Sequence, residues 1–203
     1  MTAARSEIES KRERLRRALI ETGAFKWSPT PVFPLASGAM SRFYVDCRSG
    51  LSYPELRALV GELMWAEVKD RGIDAVGGLL VGAYPIAVAV SDAAFRVSGK
   101  VVRAFTIRKE PKEHGLRRLI EGDVRAGDRA LVVDDVITSG KSTIDAIRKC
   151  REGGLIVERA MAIVDRQEQN GRGNIEAEGV SATALCTLGE LQESAGASSP
   201  RTA

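Results

Sequence analysis

Segments that are apolar at almost every position alternate with segments of helical period along most of this 203-residue chain. Strands that are apolar throughout, rather than at every second residue, are typical of a sheet that is covered on both faces. The pattern therefore predicts an α/β fold with a mostly parallel central sheet and helices on both faces. Strands are predicted at 73–80, 101–107, 129–133, 156–164 and, more weakly, 181–186, and helices between them at 85–94 and 141–152.

The N-terminal third has a different character. Residues 6–22 are rich in helix formers and predict a helix, whereas residues 24–50 contain several prolines and glycines around FYVDCR, which predicts turns and one or two short strands. Ser52 and Glu55 have the spacing of a capping box, so the next helix is predicted to begin there and to run until Gly72.

Length and composition predict one domain, at 1–193, followed by a small, polar and disordered tail at 194–203. A net charge of +3 gives no polybasic surface for nucleic acid or a membrane and favours a small anionic partner. The three cysteines are odd in number and far apart, which argues against a disulfide framework and a zinc site. No apolar run approaches the roughly 20 residues of a membrane span, and a cytoplasmic location is expected.

The stretch LVVDDVITSGKST, residues 131–143, runs from an apolar strand into two adjacent acids. Neighbouring carboxylates cannot both be buried without partners, and ligands of parallel sheets bind where a strand passes into a helix. A turn of small residues before a helix N-terminus binds phosphate, here with added hydroxyl donors from Thr138, Ser139, Ser142 and Thr143. Asp134 and Asp135 need hydroxyl donors of their own, so a phosphorylated ribose would satisfy both halves of the motif.

Two alternatives exist for this stretch. The letters GKS at 140–142 resemble a Walker A loop, but that motif requires glycine at position 135, where the chain has aspartate. The other alternative is that the two acids are solvated capping residues at a strand end.

The segment RKEPKEHGLRRLIEG, residues 108–122, has neither helical nor strand period and carries many cations and the only histidine of the chain. A segment of this kind is typical of a solvated loop. Its cations could also neutralise a pyrophosphate, and its proline and glycine suit a lid that closes over a site.

The string at 131–143 resembles the signature of the type I phosphoribosyltransferases, which use phosphoribosyl pyrophosphate (PRPP). Three further segments resemble the orotate phosphoribosyltransferases in the same order: SGAMSRFYVDCR at 37–48, RKEPKEHG at 108–115 with IEG at 120–122, and IVDRQE at 163–168. The resemblance implies the type I fold with a small N-terminal hood element. It also implies transfer of ribosyl 5-phosphate from PRPP to orotate, giving orotidine 5'-phosphate and pyrophosphate in pyrimidine nucleotide synthesis.

The resemblance assigns roles to residues as well. It implies that PRPP is bound by Arg108, Lys109, Lys112, His114, Asp134, Asp135, Val136, Ile137, Thr138, Ser139, Gly140, Lys141 and Ser142. Among these, Lys112, His114, Asp134 and Asp135 are the implied catalytic residues. Orotate would be bound by Arg166, with Thr138 assisting, because an arginine fork matches a carboxylate, and Phe43 or Tyr44 would lie against the base ring. The alternative for Arg166 is a surface salt bridge with Asp165 or Glu168.

Mg²⁺ would be carried in by the substrate rather than held by protein ligands, and the resemblance implies a homodimer in which the loop at 108–120 is shared across the interface. Two departures from the family pattern stand out: Ala36 replaces a lysine found in many members, and residues 77–87 contain no lysine. Pyrophosphate would then depend more on backbone N–H groups near residues 80–83. Two functions remain as alternatives: a transferase for another nucleobase, and a regulator that binds PRPP without catalysis.

Overall fold

The computed structural model describes residues 2–34, 38, 40–108 and 119–196, with side chains from residue 5 onward. Its helices are α1 (Thr2–Glu21), α2 (Cys47–Leu51), α3 (Pro54–Val68), α4 (Ala83–Ser98), α5 (Lys141–Glu152), α6 (Gly171–Glu176) and α7 (Leu188–Ser194). Its strands are β1 (Phe25–Trp27), β2 (Phe33–Pro34), β3 (Met40–Ser41), β4 (Phe43–Val45), β5 (Ala75–Leu79), β6 (Arg103–Ile107), β7 (Ile120–Glu121), β8 (Arg129–Ile137), β9 (Ile156–Asp165) and β10 (Ser181–Thr187).

Among the described residues, six strands form the central sheet, in the order β10-β9-β8-β5-β6-β7. The first five are mutually parallel, and the two-residue β7 pairs antiparallel with β6 at one edge. The prediction of a mostly parallel sheet is therefore confirmed.

Helices cover both faces of this sheet, as the apolar strands predict. Leu131 and Val133 of β8 belong to a buried cluster that also contains residues of α1, α3 and α4. Val132, which points to the opposite face, belongs to a second cluster with Ala146 and Ile147 of α5. Alternate side chains of one strand thus enter two cores, which is why the strand has no polar face.

Among the described residues of this region, two small antiparallel ribbons lie outside the sheet, β1 with β4 and β2 with β3. The prediction of one or two short strands missed at least two of these four. It also missed α2, which begins after Asp46, whose side chain accepts a hydrogen bond from the Arg48 backbone N–H at 3.2 Å. These ribbons correspond to the predicted N-terminal hood element.

Several predicted boundaries differ from the structure, most clearly at Ser52 and at the end of β8. Ser52 is not the N-cap of α3 but the C-cap of α2, and its hydroxyl donates to the Ser49 carbonyl. The helix α3 begins after Tyr53 with proline in its first turn, where a missing N–H costs nothing. The strand predicted at 129–133 continues to Ile137, because the parallel ladder with β9 extends through Val136 and Ile137. Both acids of the motif therefore lie within the strand rather than after it.

The C-terminal part contains two short helices that the sequence pattern did not predict, α6 and α7. The second extends to Ser194, the first residue of the predicted tail, and residues 197–203 of that tail lie outside the described residues. The division at 193/194 stays a prediction. Within the described ranges, no helix combines the length and apolar character that crossing a membrane requires.

Candidate active site

The carboxyl edge of the sheet carries the acidic pair, and the two acids have different surroundings. Asp134 is 8% exposed, and its Oδ2 atom accepts hydrogen bonds from the hydroxyls of Ser142 at 2.7 Å and Thr143 at 2.9 Å. These hydroxyls were expected to serve a phosphate. In the structure they instead satisfy a buried carboxylate and fasten the first turn of α5 to β8.

Asp135 is the less satisfied of the two acids. Burial, followed by the charge of Asp134 and a hydrogen bond with it, raises the pKa of Asp135 from 3.8 to about 6. The turn before α4 presses on this side chain, since a Cβ atom at Gly82 would lie 3.0 Å from the Asp135 carboxylate. Asp135 is therefore a carboxylate whose charge is incompletely compensated by the chain itself.

The loop after β8, residues 138–140, is the predicted phosphate loop, and it leads directly into a helix N-terminus. Gly140 has a φ of 78°, a left-handed conformation that glycine adopts without strain, and α5 begins directly behind it without a side-chain cap. The first α-helical hydrogen bond at this end is donated by the Ile144 N–H to the Gly140 carbonyl. The earlier N–H groups thus have no helical acceptor and face the loop, where the helix dipole also favours an anion.

Within the predicted phosphate-binding run, side chains differ in what they can reach. Ile137 is 2% exposed and belongs to the same buried cluster as Val132, and Val136 packs against the other cluster, so only their backbone groups can meet a ligand. Thr138 and Ser139 are half-buried and Lys141 is exposed. The run therefore offers backbone N–H groups and the small polar residues of the turn.

Arg166 stands at the same edge of the sheet. Its backbone N–H donates to the Ile137 carbonyl at 2.9 Å, and its side chain is buried. The guanidinium Nε and Nη2 atoms each lie 3.1 Å from a carboxylate oxygen of Glu168. The predicted alternative of a salt bridge with Glu168 is thus present, but around a buried arginine rather than on the open surface.

The segment after Arg166 rests on the phosphate loop. The Asn174 side-chain amide donates to the Ser139 carbonyl at 3.0 Å and to the Gln169 carbonyl at 3.1 Å, which joins the two segments. A Cβ atom at Gly171 would lie 2.3 Å from the Thr138 carbonyl oxygen, so the two backbones touch with no room for a side chain. Neither contact was predicted, because no local sequence pattern encodes contacts between segments that lie about 30 residues apart in the chain.

Of the four cations predicted to hold pyrophosphate, only Arg108 falls within the described residues; Lys109, Lys112 and His114 do not, and neither does Ala36. Arg108 follows β6, and its Nε atom donates to Glu121 of β7 at 2.6 Å. An ion pair at the sheet edge therefore joins Arg108, the first residue of the cationic segment, to β7 near its end.

Tyr44 lies on the β1–β4 ribbon and is 39% exposed. Its ring stacks on Phe33 with centroids 5.8 Å apart, whereas neighbouring Phe43 stacks on Phe25 and packs against the core. Of these two residues, Tyr44 has the more accessible ring.

Arg48, at the end of the same hood segment, received no predicted role. Its charge lowers the pKa of Asp135, against the larger effect of burial, so it lies near the acidic pair. The sequence held a signal for it, since Arg48 closes the SGAMSRFYVDCR segment.

In the parts of the chain that the structure describes, no group of three or more histidine, cysteine, aspartate or glutamate side chains lies close enough together to hold a metal ion. The acidic pair offers two carboxylates, of which one is saturated by hydroxyl donors. Such a pair fits a hard cation that brings most of its oxygen ligands with its substrate.

No protein-family model matches the chain, whereas individual relatives match most of its length. An orotate phosphoribosyltransferase of Aquifex aeolicus is 44% identical over 180 residues, which cover 89% of this chain and 97% of the relative.

Solved structures agree. The orotate phosphoribosyltransferase of Mycobacterium tuberculosis in complex with Fe(III) dicitrate superposes with a TM-score of 0.76 at 34% identity, covering 89% of this chain and 98% of the other. The same enzyme in complex with PRPP gives a TM-score of 0.69 at 30% identity, covering 90% and 92% of the two chains. With this overlap in sequence and fold, and with an acidic pair, a phosphate loop and a buried arginine on one sheet edge, the chain belongs to the orotate phosphoribosyltransferase family.

Proposed function

We propose that this chain catalyses the reaction for which its family is named. It transfers the ribosyl 5-phosphate group from PRPP to orotate, giving orotidine 5'-phosphate and pyrophosphate, a step of pyrimidine nucleotide synthesis. The observation that carries the proposal is the position of Arg166, a buried guanidinium at the same sheet edge as Asp134, Asp135 and the phosphate loop. A base with a carboxylate and a sugar with a phosphate need this combination of groups.

Different groups of described residues bind the phosphate, the ribose and the base. The 5-phosphate lies against the turn at 138–140 and the start of α5, where backbone N–H groups lack helical acceptors. Asp135 accepts hydrogen bonds from the ribose hydroxyls, because the Asp134 Oδ2 atom is already occupied by Ser142 and Thr143. The orotate carboxylate pairs with Arg166, Thr138 assists, and the ring of Tyr44 covers the base.

Departure of pyrophosphate leaves a ribosyl centre with oxocarbenium character, so catalysis consists of stabilising the leaving group and excluding water. Arg108, Lys109, Lys112 and His114 supply the cations for the leaving group. Mg²⁺, carried in by PRPP, supplies further charge neutralisation when bound. A cation bound near Asp135 would compensate the charge of this carboxylate, which burial and Asp134 otherwise disfavour.

The assembly and location are part of the same proposal. The protein is a homodimer in which the loop at 108–120 reaches the neighbouring subunit's site, and its location is cytoplasmic. The three cysteines support a reducing compartment, since all three are buried free thiols.

One assay tests this function. Pyrophosphate release from PRPP is expected to require both orotate and Mg²⁺, and adenine, hypoxanthine and uracil are expected not to replace orotate. Turnover with a purine base would favour the transferase for another nucleobase. PRPP binding without turnover of any of these bases would favour the regulator.

Replacement of Lys112 by alanine is expected to lower kcat by about ten- to a hundredfold, because one of several cations that stabilise the leaving group is lost. The KM for orotate should change less than about threefold. Steady-state kinetics with each substrate varied in turn measures both quantities. Arg118→Ala, which removes the same charge from the same segment, is the matched control and should leave kcat nearly unchanged; equal losses in both variants would contradict a specific role for Lys112.

A further inference from the structure

The ion pair of Arg166 and Glu168 has the same geometry that a substrate carboxylate would need. Glu168 uses both oxygens, one on Nε and one on Nη2, each at 3.1 Å. The arginine side chain is 10% exposed and that of Glu168 is 37% exposed. A buried cation is therefore covered by a carboxylate that itself borders solvent.

An unusual turn places Glu168 in this position. Gln167, Gln169 and Asn170 all have φ values between 52° and 57°, a conformation that residues other than glycine adopt in only a few per cent of cases. The Asp165 side chain accepts a hydrogen bond from the Gln167 N–H at 2.8 Å and stabilises the start of the turn. The chain thereby folds back, so that a glutamate only two residues beyond Arg166 reaches its guanidinium.

We propose that Glu168 determines specificity by acting as an internal substitute for the substrate carboxylate. It occupies the Arg166 fork in the free enzyme, and a base that carries its own carboxylate displaces it. This inference rests on the proposed role of Arg166 in binding orotate.

The charges explain why the exchange selects for a carboxylate. When orotate enters, the guanidinium exchanges one carboxylate for another and stays paired, while Glu168 returns to the solvent that it already borders. A neutral base such as uracil cannot replace the lost partner. It must either leave Glu168 in place over the arginine or leave a buried cation unpaired, and both outcomes weaken its binding.

Glu168→Gln tests the exchange, since the amide keeps the shape but loses the charge. The KM for orotate is expected to fall by about three- to tenfold, the range for a partly exposed ion pair, with kcat and the KM for PRPP nearly unchanged. Glu176→Gln is the matched control: Glu176 pairs with Arg172 at 3.0 Å on α6, so the same charge is lost nearby without a change at Arg166.

An unchanged or raised KM for orotate in Glu168→Gln would overturn the proposal, and a raised KM would show that Glu168 instead orients the arginine. Glu168→Asp, too short to keep both contacts, is a second variant with the same expected direction should the first fold poorly. In an Arg166→Ala background, Glu168→Gln is expected to have no further effect on the KM for orotate.

Arg166→Ala distinguishes failure of the proposed Glu168 exchange from failure of the proposed contact between Arg166 and orotate. If it raises the KM for orotate but Glu168→Gln does not lower it, the exchange alone fails. If it leaves the KM for orotate unchanged, the role of Arg166 and the exchange fail together, whereas the assay for orotate-dependent pyrophosphate release still tests the reaction itself.

Discussion

Replacement of Arg166 by alanine is expected to raise the KM for orotate by about a hundred- to a thousandfold. Two charge-assisted hydrogen bonds to a buried guanidinium contribute roughly 3 to 4 kcal/mol, and about 1.4 kcal/mol corresponds to a tenfold change in affinity.

Kinetics with orotate varied at saturating PRPP measures this effect. The KM for PRPP should stay within about twofold, since the phosphate loop and the acidic pair are unchanged. Arg172→Ala, which removes an exposed arginine from nearby α6, is the control and should alter neither constant. A similar rise in both KM values for Arg166→Ala would indicate a general disturbance of the sheet edge instead of the loss of a base contact.

Replacement of Asp135 by asparagine is expected to stabilise the free protein at neutral pH while impairing the enzyme. The pKa of Asp135 is raised in the folded state from 3.8 to about 6, chiefly by burial and by the charge of Asp134. A raised carboxyl pKa means that folding disfavours the charged form. The cost is absent below the ordinary pKa, where the group is protonated in both states, and is fully present above a pH of about 6.

The asparagine variant removes that cost, so its free energy of unfolding should exceed that of the natural protein by roughly 2 to 3 kcal/mol at pH 7. The two proteins should converge near pH 4. Its kcat/KM for PRPP should fall by about a hundredfold, since the neutral amide is a weaker acceptor for the ribose hydroxyls.

Urea unfolding at both pH values, without substrates, measures the stability effect. Asp145→Asn is the control, because it removes a carboxylate that is 45% exposed and pairs with Lys149 on α5. The interpretation would be wrong if Asp135→Asn were less stable than the natural protein at pH 7, or if its gain persisted unchanged at pH 4.

The sheet and most of its helices could be predicted because burial on both faces leaves a continuous apolar signal. The predicted start and end of α5 agree with the structure, with glycine before its first residue and glycine after its last. The end of β8 could not be predicted in this way: the apolar signal stops at Asp134, whereas backbone pairing with β9 continues to Ile137 whatever the side chains are.

Of the two short C-terminal helices, one has a capping signal in the sequence and the other does not. Thr187 and Glu190 form a capping box at the start of α7, a spacing visible in the sequence. By contrast, α6 contains two glycines and has no side-chain cap, and it is held by its position against the phosphate loop.

The candidate site likewise has some features that local sequence patterns predict and others that they do not. The motif around Asp134 and Asp135, and the arginine after β9, could be predicted from local patterns and from the family resemblance. The pairing of Asp134 with Ser142 and Thr143 could not, although all lie in one motif, because a phosphate site and a buried carboxylate both accept hydroxyl donors. Lys109, Lys112 and His114 lie outside the described residues, so their roles stay predictions.

The close approach of Gly171 to Thr138 restricts how this enzyme could be redesigned for another base. The turn at 167–170 is the natural place to randomise in a library, since it holds Glu168 against Arg166. Gly171 and Asn174 should be held constant in such a library, because a side chain at the first or the loss of the amide at the second would displace the loop at 138–140, the proposed phosphate site. The base specificity could then be varied while the proposed phosphate site for PRPP stays in place.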